Sequence, residues 1–200
     1  MPLVTSVEPI WGKTHDVGYA GFVYHAKSII SSGIALFTSL TTKIKVSHMV
    51  IVYDKEYCIS AEPSGVEKKK LADYFDDTSC LIFFRKPVRW TKRRGIMVAN
   101  RAAEKIGKDY DYGGLFAFVP RILIPIQSLF FRSWLKKKAM FSSSRAWFCS
   151  EVSTDSYLAW EFWARSYLLS NYHPSKISPV KAFQLGDVQP RLWKPWRDLK

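Results

Sequence analysis

Cysteine is scarce. Cys58, Cys80 and Cys149 are the three in 200 residues, widely separated and odd in number, which argues against a disulfide framework and leaves at least one thiol free in an expected reducing compartment. No CxxC or HxxxH pair occurs among these cysteines and the four histidines, so no dedicated metal site is expected. A glycine-rich loop followed by Lys-Ser/Thr is missing as well, which speaks against a nucleotide hydrolase, and no cofactor is expected. The ten glycines and ten prolines have no period, excluding a collagen-like or low-complexity chain. Lys and Arg are absent from Met1–Gly12, where Glu8 also interrupts the apolar residues. This segment does not read as a secretory signal, and a cytoplasmic or virion-associated protein is the expectation. An uninterrupted apolar run is lacking too: Pro120, Arg121, Pro125 and Gln127 break residues 115–131, whereas a spanning helix needs about 20 apolar residues.

What is present is aromatic and basic. Eight Trp, ten Tyr and thirteen Phe carry more apolar surface than a disordered chain would. The length suits one domain. The formal charge of +13 is concentrated in two stretches. One contains Arg85, Lys86, Arg89, Lys92, Arg93, Arg94, Arg101, Lys105 and Lys108 against Glu104; the other, acid-free between Tyr112 and Ser150, contains Arg121, Arg132, Lys136, Lys137, Lys138 and Arg145. An anionic partner follows. Arg121, Arg132 and Lys136–Lys138 beside the apolar run suit peripheral contact with an anionic membrane or cell-wall polymer. Nucleic acid is less favoured: Trp90 and Trp134 lie near basic residues, but no reading motif accompanies them.

The chain order reads as α+β. Residues 1–27, punctuated by Gly12, Gly18 and Gly21, read as irregular, and residues 27–40 as a short helix. Val46–Tyr53, a turn at Asp54-Lys55, and Glu56–Ala61 form a hairpin signal ended by Pro63 and Gly65. Lys68–Phe75 reads as a short helix and Cys80–Arg85 as a strand. Thr91–Gly107 reads as an amphipathic helix with Ile96, Ala99, Ala103 and Ile106 on one stripe. Trp147–Leu169 reads as a helix burying Val152, Ala159, Phe162, Trp163 and Leu169. Residues 114–141 have the character of a basic, apolar insertion, and 174–200, with four prolines, that of an extended strap.

The chemistry centres on Cys149. A thiol opening a helix feels unpaired amides and the positive end of the backbone dipole, which favour the nucleophilic thiolate. A base is then needed, and of His15, His25, His48 and His173 the best placed is His48, at the head of an apolar strand where sheet rims form sites. With the turn centred near Lys55, opposed residues sum to about 110, which sets Glu62 across from His48 and Ser60 diagonal on the same face. Either oxygen group could orient the imidazole.

These residues carry a resemblance. Ser47-His48-Met49-Val50-Ile51-Val52, Ser60-Ala61-Glu62 with Gly65-Val66, the Gly107–Tyr112 turn, Trp147-Phe148-Cys149-Ser150-Glu151 and Ile177-Ser178-Pro179 occur in an order similar to the circularly permuted branch of the NlpC-type papain-like cysteine hydrolases, the YiiX-like group. The likeness spans about residues 28–185. It implies a permuted papain-like α+β fold, an antiparallel sheet packed against helices with the nucleophile at a helix N-terminus. Carried over by position, Cys149 is the nucleophile, His48 the general base and then acid, and Glu62 or Ser60 the orienting group. The activity implied is hydrolysis or acyl transfer on a peptide, amide or lipid acyl substrate through a thioester. The alternative is a non-catalytic virion or membrane-associated protein that keeps the fold.

Overall fold

The run Met49-Val50-Ile51-Val52, apolar at every position, dictates a strand buried on both faces. In the computed structural model, which describes residues 15–25, 46–87, 90–111, 146–147 and 149–158 with positions 179 and 182, that strand is the centre of a five-stranded antiparallel sheet. The strands are β1 (Ala20–His25), β2 (His48–Val52), β3 (Tyr57–Glu62), β4 (Gly65–Lys70) and β5 (Cys80–Arg85), in the spatial order β4-β3-β2-β1-β5. The β2–β3 hairpin closes as expected: Ile51 pairs with Ile59 and Val52 with Cys58. Asp54 caps its turn by accepting from the amides of Glu56 and Tyr57 at 2.8 and 2.7 Å.

Side-chain alternation separates two cores. Ala20, Phe22, Met49, Ile51, Ile59 and Ala61 point to one face, where they meet Val98 and Ala102 of helix α2 (Lys92–Ala103) and Val152 and Tyr157 of helix α3 (Cys149–Leu158). Val23, Val50, Val52, Cys58, Ile82 and Phe84 point to the other, under Leu71 and Tyr74 at the short helix α1 (Ala72–Phe75). The helices are clamped to each other by Lys105, which is buried, bonds Asp155 at 2.7 Å, donates to the Arg101 carbonyl at 3.0 Å and lies 5.0 Å over the Trp147 ring. Lys105→Met is expected to cost about 2 kcal/mol in urea unfolding, because it leaves the half-buried Asp155 carboxylate with only the more distant Arg101, 3.7 Å away.

Several elements differ from the sequence reading. The irregular N-terminal region contains β1, a strand adjoining the centre of the sheet; Gly21, which reads as a breaker, is required there because a Cβ would lie 2.7 Å from Val50 Cγ2. Residues 68–70, expected to be helical, finish β4, and helix begins only at Ala72. Trp147, expected inside the helix, lies in a short strand β7 (Ala146–Trp147) parallel to β6 (Asp109–Tyr110), and helix starts at Cys149. Helix α2 forms with Thr91 as its N-cap, but its phase is rotated: Gly95, Val98, Ala99 and Ala102 are buried, while Ile96 and Ile106 face outward. Pro179 and Ala182, placed in the extended strap, are helical and buried, Ala182 in the core cluster that also holds Cys149. The expected helix at 27–40, the insertion at 114–141 with Arg121, Arg132 and Lys136–Lys138, the stripe residues Ala159, Phe162, Trp163 and Leu169, and the rest of the strap lie outside the described residues. No helix among the described residues is long and apolar enough to cross a membrane.

Candidate active site

The site forms where β2 and β3 part. Their ladder holds only Ile51 and Val52, so the Met49 amide has no partner on β3. Helix α3 lays its first residue against this gap: Cys149 packs in one buried cluster with Met49, and the backbone at Met49, Ser150 and Cys149 pulls the thiol down against burial. Three distant stretches thereby meet: β2 with His48, the β3–β4 hairpin with Ser60 and Glu62, and the start of α3 with Cys149.

The imidazole is held firmly from one end. His48 Nε2 lies 2.7 Å from Ser60 Oγ and 3.5 Å from Glu62 Oε1. Ser60 donates its hydroxyl proton to Glu62 Oε1 at 2.8 Å. Because Ser60 spends its only proton on the carboxylate, it can only accept from the ring. His48 therefore carries its proton on Nε2 and presents a bare lone pair at Nδ1, the atom a general base needs. Among the described residues no hydrogen bond engages Nδ1 or joins ring to thiol. The ring and Met49 project to opposite faces of β2, so base and sulfur approach the strand end from its two sides.

Glu62 is the hub. Besides Ser60, its Oε1 accepts from the Tyr74 hydroxyl at 2.8 Å and from Lys69 Nζ at 3.2 Å. Burial by itself pushes this carboxyl up, but His48, Lys69, Ser60 and Tyr74 together outweigh it and hold the group down at about 2. Burial pushes the Tyr74 phenol well above its ordinary range, so it remains a donor. Both orienting candidates are thus assembled: Ser60 touches the ring and Glu62 fixes Ser60. Tyr74 and Lys69 were not anticipated. Reading Pro63-Ser64 as a second hairpin turn would have put Lys69 across from Cys58 on the face shared by Ser60 and Glu62, within reach of its long side chain, but nothing local marks Tyr74.

One expectation is reversed. The helix-start amides favour thiolate, yet burial is the larger effect and pushes the Cys149 thiol up to about 12. Burial lowers His48 below its ordinary 6.5, against the opposing pull of Glu62. At neutral pH the resting pair is a neutral thiol and a neutral imidazole.

Glu62 also sets an acid response. Its carboxyl titrates near 4.5 when unfolded and near 2 when folded, so its stabilisation is complete above about 4.5 and is lost as pH falls through 2. Glu62→Gln should remove up to about 3 kcal/mol of that pH-dependent stability, read as the difference between the two proteins' urea midpoints from pH 7 to pH 2.

No protein-family model matches the chain, and no curated protein or solved structure matches it either. Among the described residues no group of His, Cys, Asp or Glu could hold a metal ion.

Proposed function

We propose that the chain is a thiol-dependent hydrolase or acyltransferase of permuted papain-like design, with Cys149 as nucleophile, His48 as base and then acid, and Ser60 backed by Glu62 as the orienting group. One observation carries the reading: the Ser60–Glu62 pair fixes the His48 tautomer with its free nitrogen at Nδ1, next in the chain to Met49, which packs in one buried cluster with Cys149.

The chemistry follows from the neutral resting pair. A carbonyl substrate entering the gap brings the two groups into contact, since catalytic hydrogen bonds commonly tighten only in the substrate complex. Nδ1 of His48 takes the thiol proton as the sulfur–carbon bond forms, and the imidazolium is stabilised through Ser60 by Glu62. Amides at the start of α3 stabilise the oxyanion. His48 then protonates the leaving amine or alkoxide, giving a thioester. Water attack releases the acid; attack by an amine or alcohol transfers the acyl group instead.

Incubation with an activated acyl ester, followed by intact mass and peptide mapping, tests this. The expected result is one acyl group on Cys149, released by hydroxylamine and absent in Cys149→Ala. A Cys149 that stays unmodified while the protein remains folded would mark the site as idle.

Tyr74→Phe should slow acylation roughly fivefold, the loss of one hydrogen bond to Glu62, and shift the pH at which the rate levels off. An unchanged pH profile would reduce Tyr74 to a packing residue.

A further inference from the structure

The outward side of α2 and its end gather three of the four large apolar side chains exposed among the described residues, the fourth being Leu81 on β5. Ile96 and Met97 are 43% and 48% exposed although the helix has a complete buried stripe without them, and Ile106, just past its end, is 45% exposed. One turn before this pair stand Lys92 and Arg93, both exposed and without an ion pair among the described residues. Asn100 follows on the same side. The first turn holds no acid, so these cations are crowded beside Arg94 against mutual repulsion and the helix dipole, an arrangement that costs the folded chain stability. Arg101 differs, being paired with Glu104 at 3.0 Å and lying 3.7 Å from Asp155.

Unpaired cations next to exposed aliphatic side chains match one kind of surface. We propose that the outward face of α2 docks on an anionic lipid bilayer, Lys92 and Arg93 meeting headgroup phosphates and Ile96 and Met97 entering the acyl boundary. Nucleic acid would satisfy the cations but gives the two aliphatic residues nothing, since bases are gripped by aromatic stacking or hydrogen bonds. These residues are distinct in sequence from the basic segment at 132–138, and the proposal goes beyond the catalytic reading.

Co-sedimentation of the full chain with phosphatidylcholine vesicles, alone or with phosphatidylserine, tests it. Binding should require phosphatidylserine. Lys92→Gln with Arg93→Gln should weaken it roughly twenty-fivefold, about fivefold for each cation removed. Ile96→Ser with Met97→Ser should weaken it roughly tenfold at unchanged charge. All four positions are exposed, so no variant should melt below wild type and the glutamine variant should melt slightly above it, and Cys149→Ala should bind vesicles normally, which keeps this test independent of the catalytic one. Wild-type partitioning in both double variants would overturn the proposal. So would full binding by the serine variant, with loss only in the glutamine variant, coupled to an equal affinity of wild type and serine variant for an oligonucleotide.

Discussion

Replacing His48 by alanine should slow acylation of Cys149 by roughly 10²- to 10⁴-fold at neutral pH, the range general-base catalysis contributes. The pH profile separates a lost base from a disturbed fold. In the wild type the rate should rise as pH climbs through the His48 pKa, which burial sets below 6.5, and stay flat through neutrality because the reactive form, neutral imidazole with neutral thiol, is then complete. In His48→Ala only the spontaneous thiolate remains. With the Cys149 thiol pushed up to about 12, that rate should climb about tenfold per pH unit across the same range without levelling. A variant that keeps the plateau would show that another group removes the proton.

Gly95→Ala should destabilise the fold by more than about 4 kcal/mol, enough to prevent accumulation of native protein. A Cβ at Gly95 would overlap the Val17 carbonyl oxygen and lie 2.7 Å from Trp90 Nε1, and those two atoms bond each other at 2.8 Å, so neither can give way without losing its partner. On the loop side Gly18, at φ +76, is pressed against the same residue. The loop in turn receives the Tyr157 hydroxyl at 2.8 Å on the Gly18 carbonyl, which ties α2, α3 and the start of β1 into one packing unit. Met97→Ala, two residues along the same helix but exposed, should cost less than about 0.5 kcal/mol. Similar urea midpoints for the two variants would contradict this packing.

The contrast between these positions explains what the sequence could disclose. Turn chemistry at Asp54-Lys55 and period-two alternation set the register of β2 against β3, and with it the meeting of His48, Ser60 and Glu62. A helix opening near Cys149 was legible from the local pattern, though read as beginning at Trp147, two residues early. Properties depending on distant chain were not. Gly21 sits in a strand through pairing with Val50 and Phe84, and is glycine because Val50 leaves no room for a side chain. The lysines of β4 hide a strand because its outer half has no apolar face to advertise it. The small residues Gly95, Ala99 and Ala102 win the buried face of α2 from the larger Ile96, because close approach to residues 17–18 outweighs the area an isoleucine would bury. The Cys149 thiol follows the same logic: a helix start favours its ionisation, and the core packed around it, which no local pattern reveals, decides otherwise.

The locked imidazole is the hinge of the catalytic reading, and nitrogen NMR of His48 addresses it without needing a substrate. Near neutral pH, Nε2 should give the shift of a protonated ring nitrogen and Nδ1 that of a bare one, Ser60→Ala should blur the distinction, and alkylation of Cys149 should move Nδ1 rather than Nε2. A proton resting on Nδ1, or a ring whose nitrogens ignore what is attached to the Cys149 sulfur, would contradict it.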